Sequence, residues 1–407
     1  MQDSILQLAG KRECWQEFLD YKREKQNLSK AEEKEIEDFI ERKAYAPLCK
    51  KWEEEVFPVT LPVKRIINKE GTGKKRIVYS YLGDEGIFLK FIAFRLNRYD
   101  EIFCDNCYAF RRGIGVGSAI HRLKNAGIDR SYCIKADISN YFNSIEPEEL
   151  LKKLDFMKSD EALYRLFERV LLNNKVLESD CIVNEKKGAM AGTPFSPFLA
   201  NVYLRDVDEY YEQRGMLYFR YSDDILLFAD SERELWNKKE ELFRMIEKCG
   251  LKLNSQKVKV YLPGEAIEFL GFSYHKGVVD LSENTLRKTK AKIKRKAEAL
   301  RRWQRKKNLT EEKAAIGFIR AMNRKFFGKD REDEFTWKRW FFPHLTTDEG
   351  LKEIDAYMQQ YIRYAITGRH YKGNFRIRYE TMKEWGYRSL VNEYYKWKNA
   401  PEKVKLM

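Results

Sequence analysis

The chain lacks a disulfide framework. Its seven cysteines, Cys14, Cys49, Cys104, Cys107, Cys133, Cys181 and Cys249, are odd in number and scattered, which favours a reducing, cytoplasmic setting over a stapled secreted fold. A paired zinc-finger pattern is also missing, because Cys104-x-x-Cys107 has no second pair at finger spacing. No run approaches the ~20 apolar residues of a bilayer span, and no N-terminal apolar stretch resembles a signal peptide, so no membrane partner is expected. Internal repeats and low-complexity linkers are absent. What remains is a chain of 407 residues, 43% hydrophobic and 14% aromatic, long enough for two or three subdomains around a sizeable core. The formal charge of +15 favours a polyanionic partner, with nucleic acid first.

One stretch carries chemistry. Tyr221-Ser222-Asp223-Asp224 lies between Phe219-Arg220 and Ile225-Leu226-Leu227-Phe228, a pattern that predicts a β-hairpin with both carboxylates at its tip. Like charges so placed repel unless a cation joins them to a further anion, and Mg²⁺, which takes carboxylate oxygen, fits that need. A second strand, Tyr132 to Ile138, carries Asp137 at its end. If the two strands are neighbours, Asp137 and Asp223 meet, which is the requirement for two-metal phosphoryl transfer.

The rest of the chain reads more coarsely. Residues 1–55 are helical and of mixed charge, either a solvated face or a docking extension for RNA or a partner. Pro62 to Ser80 reads as a hairpin whose loop and exit are crowded by Lys69, Lys74, Lys75 and Arg76. The glycine-rich turn from Cys107 to Gly117 lacks the strand–GxGxxG–helix layout, which argues against a dinucleotide site. Residues 146–180 read as mostly helical, 196–214 as one long helix, 266–280 as a final hairpin, and the chain beyond about 283 as nearly all helix. Between Arg287 and Lys307 there are twelve Lys or Arg and one acid, Glu298. Ile293, Ala297, Leu300 and Trp303 form a stripe that can pack inward, and the basic remainder, with Arg287, Lys288, Lys292, Arg295 and Lys296, suits phosphate tracking. The aromatics of residues 350–400 read mostly as helix core, while Tyr371, Phe375 and Arg376 fall in a loop where they could stack on bases.

Over about residues 60–275 the sequence resembles the reverse transcriptases. Asp137-Ile-Ser-Asn-Tyr-Phe142 resembles their first catalytic motif and Tyr221-Ser-Asp-Asp224 their Tyr-x-Asp-Asp box. Gly192-Thr-Pro-Phe-Ser-Pro-Phe-Leu-Ala-Asn201 resembles the motif that contacts template and incoming nucleotide. Leu253-Asn-Ser-Gln-Lys257, Phe269-Leu270-Gly271-Phe272 and Tyr108-Ala-Phe-Arg111-Arg112 resemble, in turn, the pyrophosphate-side lysine motif, the primer grip and a fingers motif of group II intron-like enzymes.

The resemblance implies an α+β right-hand polymerase: a helical extension over 1–55, fingers and palm over 56–280, and an α-helical thumb over 281–407. It implies an RNA-directed DNA polymerase with two Mg²⁺ ions held by Asp137, the Ile138 main chain, Asp223 and Asp224. Lys69 and Arg76 would hold the triphosphate, Phe142 would act as a gate against a ribose 2′-hydroxyl, and Lys257 would serve as proton donor to pyrophosphate. Arg111 and Arg112 would join the thumb lysines and arginines on nucleic acid. Two positions depart from the family. Ala191 stands where most members have Gln before Gly192, and Ser222 stands where Ala, Met or Val is usual. The run Ala-Gly-Thr-Pro-x-Ser-Pro-Phe-x-Ala-Asn-x-Tyr-Leu from Ala191 to Leu204 resembles the bacterial "unknown group" enzymes, which implies antiviral defence with a structured noncoding RNA as template and partner, deoxynucleoside triphosphates as substrates and DNA as product. Mobile-element enzymes of intron or retron type, template-independent or protein-primed synthesis of abortive-infection type, and an inactive RNA-binding scaffold are the competing readings.

Overall fold

The computed structural model describes residues 3–24, 28–56, 60–68, 75–186, 188–328 and 336–401. Packing divides the chain into two compact units, Met1–Pro263 and Gly264–Met407. The strands at 267–281 therefore pack with the C-terminal helices, and residues 1–55 share a unit with the sheets.

The first unit holds two sheets. One is four-stranded, in the order β2-β1-β4-β5, built from β1 (Val63–Asn68), β2 (Lys75–Ser80), β4 (Lys175–Glu178) and β5 (Cys181–Asn184). β1 and β2 form the expected antiparallel hairpin, Val63 opposite Ser80 and Asn68 opposite Lys75, while β4 joins β1 in parallel. The expectation of mostly helix over 146–180 holds up to Leu172 but missed β4, and β5 follows just beyond that range. Each is only four residues long, and the two pair with each other as a hairpin, while β4 is tied into this sheet by a segment more than a hundred residues earlier.

The second sheet positions the site. It comprises β3 (Tyr132–Asp137), β6 (Tyr218–Tyr221), β7 (Asp224–Ala229) and β8 (Lys259–Tyr261), in the order β6-β7-β3-β8. All neighbours are antiparallel. Ile225 to Ala229 are all buried, so the continuous apolar run of β7 reflects cover on both faces of the sheet. The Glu232–Lys248 helix packs over β7 and β3, and its start is capped by the Ser231 hydroxyl, which accepts from Glu234 N.

The N-terminal helices, Ile5–Ala9, Arg12–Glu24, Lys30–Glu41 and Tyr45–Glu53, are not a solvated face. Trp15, Phe18 and Phe39 are fully buried, and the Trp15 ring stacks on Phe91 of the Gly83–Arg95 helix at 4.1 Å. Ile5 N donates to Asp160 at 2.8 Å and Trp52 Nε1 to the Ala162 carbonyl at 2.6 Å. The charges noted in the sequence lie on the outside of these helices, and the aromatics between them carry the packing.

The second unit begins with a three-stranded meander of β9 (Ile267–Phe269), β10 (Phe272–His275) and β11 (Val278–Leu281). Three helices, Glu283–Lys307, Glu311–Phe327 and Glu349–Thr367, then pack pairwise. Along the first of them Ile293 and Ala297 are fully buried, but Trp303 is 45% exposed. The inward stripe thus ends before the last turn. Buried Asp355 ties the bundle to the chain's end, accepting from Tyr387, Ser389 and the amides of Leu390 and Val391.

Candidate active site

The turn at the end of the β6–β7 hairpin is tighter than the sequence implied. Ser222 and Asp223 make the turn, Asp224 is already the first residue of β7, and it faces Tyr221 across the hairpin. Ser222 has φ of 60°. On the neighbouring strand Asp137 is the register partner of Asp224, and Ile138 N donates to the Asp223 carbonyl at 3.0 Å. Three carboxylates from two strands are thereby gathered at one end of the sheet. Burial holds the Asp223 carboxyl above the ordinary carboxylate range, and the charges of Asp137 and Asp224 push it the same way.

A third segment completes the site. Ile138 bridges Leu253, Ser139 N donates to the Lys252 carbonyl at 2.8 Å, and Asn254 N donates to the Asp137 carbonyl at 2.8 Å. A 3₁₀ turn at Ser255–Lys257 follows and leads into β8. That turn delivers Lys257 Nζ to Asp137 Oδ1 at 2.5 Å. Lys135 Nζ stands 3.9 Å from Asp224.

Behind the turn lies a device that the sequence reading did not find. Arg220 is the one cation in the flanking run 219–228, and it is fully buried. Its guanidinium pairs with Asp208, donating from both Nε and Nη2. It also reaches the Asn201 side chain at 3.2 Å and the Ser222 carbonyl at 3.4 Å. A charge-assisted contact to that carbonyl fixes the turn from inside the protein. The available signal was an Arg within a strand otherwise apolar, together with Asn201 at the end of the Gly192 motif.

The Gly192 segment is wedged between two other parts of the site. Ala189 N donates to the Phe142 carbonyl at 2.8 Å, and Ala191 N to Asn143 Oδ1 at 3.1 Å. The Ala191 carbonyl accepts from Tyr79 N of β2 at 2.8 Å. Gly192 has φ of 102°, and a Cβ there would lie 2.9 Å from the Tyr79 carbonyl, so both backbone conformation and close approach require glycine. Ala191 itself is buried. Phe142 is half-buried, with its ring edge against Phe110 at 6.1 Å. Phe110, which the sequence reading did not single out as a site residue, is 47% exposed, has φ of 61°, and also lies 6.4 Å from Tyr221.

The remaining expected site residues fall in several places. Arg76 is an exposed residue of β2, and Lys69 lies outside the described residues. Arg112 is exposed, with its guanidinium 5.3 Å over Tyr21. Arg111 corrects the expectation of a nucleic-acid contact: it bridges Asp100 and donates to the carbonyls of Cys104 at 2.6 Å and Cys107 at 3.1 Å, so its donors are committed inside the protein. Phe269 ends β9 opposite Phe272, and Leu270 and Gly271 form the β9–β10 turn in the second unit, where Thr285 Oγ1 donates to the Gly271 carbonyl at 2.8 Å. Arg287, Lys288, Arg295 and Lys296 are on exposed positions of the Glu283–Lys307 helix, with Lys292 partly covered.

The donor set at Asp137, Asp223 and Asp224 suits a hard divalent cation, since all three offer carboxylate oxygen, and a cation would offset the burial and like charge that push the Asp223 carboxyl up. Among the described residues no three His, Cys, Asp or Glu side chains are arranged to enclose an ion by themselves. An ion there would draw on main-chain carbonyl, water or substrate phosphate, as Mg²⁺ commonly does.

Comparison with known proteins agrees with this geometry. Residues 67–274 match the family model described as reverse transcriptase (RNA-dependent DNA polymerase). The retron Ec83 reverse transcriptase of Escherichia coli is 34% identical over 125 residues, covering 28% of this chain and 37% of that protein. The retron Ec86 reverse transcriptase of Escherichia coli is 26% identical over 159 residues, 38% of this chain and 49% of that one. The group II intron-encoded protein LtrA of Lactococcus lactis subsp. cremoris is 24% identical over 168 residues, 40% and 26% of the respective chains. The aligned part thus spans less than half the length of each of these relatives. Among solved structures, an apo telomerase from Candida tropicalis truncated from its C-terminal domain aligns with a TM-score of 0.45 at 11% identity, over 54% of this chain and 55% of that one. With more than half of its residues matched by one family model and its acidic strand ends brought together, the chain belongs to the reverse transcriptase family.

Proposed function

We propose that the protein copies RNA into DNA, joining deoxynucleotides to a 3′ end. The observation that carries this reading is the pairing of Asp137 with Asp224 across β3 and β7, with Asp223 at the adjoining turn. Asp137, Asp223 and Asp224, with the Ile138 carbonyl, would hold two Mg²⁺ ions, which supply a lowered proton affinity at the 3′-hydroxyl and charge compensation at the triphosphate. The other roles belong to the chain. Lys257, already at the carboxylates, donates a proton to departing pyrophosphate. Arg76 orients the triphosphate from β2, and Lys69 is assigned with it on family resemblance. Phe142 closes the space a ribose 2′-hydroxyl would need, so that deoxynucleotides are preferred. The basic face of the Glu283–Lys307 helix follows the phosphates of template and product.

The wider role is antiviral defence in the cytoplasm with a structured noncoding RNA as template. It is supported by the resemblance of the Ala191–Leu204 run to the bacterial "unknown group" enzymes, many of which are defence-associated. A second reading, a retron-type enzyme, is favoured by the 34% identity to a retron reverse transcriptase.

The test is to purify the protein with its bound RNA and sequence both that RNA and any DNA made from it. A protein carrying Asp223→Ala and Asp224→Ala serves as control. DNA complementary to the bound RNA, absent from the control, is the expected result. No DNA from the unaltered protein, or DNA from the control, would overturn the mechanism. A bound RNA encoded beside the gene and joined to its own DNA copy would favour the retron reading.

A further inference from the structure

The loop that follows the Glu349–Thr367 helix combines two properties. Its aromatic rings face solvent, with Phe375 69% and Tyr371 49% exposed. Its charge has one sign: from Arg363 to Arg378 there is no Asp or Glu, while Arg363, Arg369, Lys372, Arg376 and Arg378 are all basic. Single exposed apolar residues are ordinary on protein surfaces, but two rings set among five cations form a surface of definite chemistry.

The loop is held in shape by its own bonds. Gly368 ends the helix in the left-handed conformation. Asn374 is buried and donates from Nδ2 to the Arg369 carbonyl at 2.6 Å, and its amide donates to the Tyr371 carbonyl at 3.0 Å. Arg363 reaches from the helix, donating from Nε to the Ile377 carbonyl at 3.1 Å, with its guanidinium 5.0 Å from the centre of the Phe375 ring. A cation seated against one side of that ring makes it a better stacking partner for a π system on the other. Gly373 lies under the second ring: a Cβ there would come within 2.4 Å of Tyr371 Cε2, so a side chain at 373 would push the Tyr371 ring aside. The Phe375 ring is thus braced from one side by Arg363, and a braced ring costs less to immobilise on binding.

An unpaired nucleic-acid strand offers what this surface takes: flat aromatic bases, with one negative charge per nucleotide between them. Duplex bases are stacked on one another and cannot reach the rings. We infer that Tyr371 and Phe375 form a stacking platform for unpaired bases of a nucleic-acid strand, with Arg363, Arg369, Lys372 and Arg376 taking its phosphates. None of these residues belongs to the catalytic constellation.

The test reads binding alone, on the full chain without nucleotides, by fluorescence anisotropy. Three labelled probes of about 20 nucleotides are compared: uridine, deoxythymidine, and an abasic strand of equal charge. The protein should bind the base-bearing strands roughly tenfold or more tightly than the abasic one. Replacing Tyr371→Ala and Phe375→Ala together should abolish that preference while leaving abasic affinity in place, and Phe375→Trp should preserve it. Gly373→Ala, which displaces the Tyr371 ring and keeps every charge, should reduce it in part. Tighter binding of uridine than deoxythymidine would identify RNA as the occupant, and equal binding would assign the platform to either strand. A preference for base-bearing strands that survives the double substitution, or a loss equal for all three probes in a protein of unchanged melting temperature, would overturn the inference. Because no synthesis is measured, the result is independent of whether the chain makes DNA.

Discussion

Two regions of the molecule hold their charged groups by opposite means. At the Ser222–Asp223 turn every neighbour is specified: β3 on one side, the 252–257 segment on another, and the buried Arg220–Asp208 pair behind. On the Glu283–Lys307 helix only a narrow stripe is buried, and most of the cations project from exposed turns. The difference follows from the chemistry each region serves. Phosphoryl transfer loses rate steeply when reacting groups are misplaced by an ångström. Phosphate tracking depends on charge density, and individual cations can move without losing it. A positioned site consumes interior charge to fix its geometry, whereas a tracking surface needs only a packed stripe.

The strongest way to break this contrast is at Asp208. Asp208→Ala leaves the Arg220 guanidinium buried without its partner, which should cost about 3–5 kcal/mol. A lowered urea midpoint with loss of DNA synthesis checks it. Asp208→Leu with Arg220→Met should recover much of the stability and little of the activity, since the Ser222 carbonyl then has no donor. Recovery of both would mean that Arg220 does not position the turn. Arg111→Ala should behave like the turn and unlike the helix, lowering stability by about 1.5–3 kcal/mol while leaving the salt dependence of RNA binding unchanged. A reduced salt slope without destabilisation would return Arg111 to the nucleic-acid surface.

Gly192→Ala forces a Cβ toward the Tyr79 carbonyl at an unfavourable φ, costing about 1–3 kcal/mol and displacing β2 from the site. Thermal melting beside a synthesis assay should show both effects. A smaller change is expected at Phe110, whose ring backs Phe142. Phe110→Ala should weaken discrimination against ribonucleotides by roughly tenfold, less than Phe142→Val does, as read from competing incorporation of the two nucleotides. The smallest effect belongs to the helix. Arg295→Ala or Lys296→Ala should each weaken binding evenly across sequences and lower the salt slope by about 1, with no change in melting. A sequence-dependent loss at either position would show that the helix reads more than phosphate.

The same contrast explains what could be read from the chain before its structure. The hairpin at 218–229, the strand ending in Asp137 and the basic helix all announce themselves through local pattern: alternation, apolar runs and helical spacing. So do the carboxylates, because adjacent like charges at a turn are locally anomalous. What escaped depends mostly on distant partners. β4 and β5 form a local antiparallel hairpin, which short runs without a Gly turn did not announce, and that this hairpin joins the sheet of β1 depends on a partner more than a hundred residues away. Arg111 looks like any basic residue until Asp100 and the Cys104 carbonyl surround it. Asp208 sits in an acidic helix whose other acids are mostly exposed, so its burial is invisible without β6. Trp303 had the right spacing to be core, but spacing says nothing of where the opposing helix stops.

The packing of the N-terminal helices has a consequence for how the protein is made. Ile5 is bonded to Asp160, 155 residues later, and Trp52 to Ala162, 110 residues later. A ribosome adding about 5–20 residues each second would take roughly 8–30 seconds to carry the chain from the first of these residues to its partner. The aromatics between these helices are covered sooner, since Trp15 and Phe18 pack on Phe88, Phe91 and Phe94 of the Gly83–Arg95 helix, but the docking of Ile5 and Trp52 must wait for residues 160–162. These helices are therefore made well before all of their packing partners, and a ribosome that stalls between residues 55 and 83 should expose Trp15 and Phe18 without the helix that covers them.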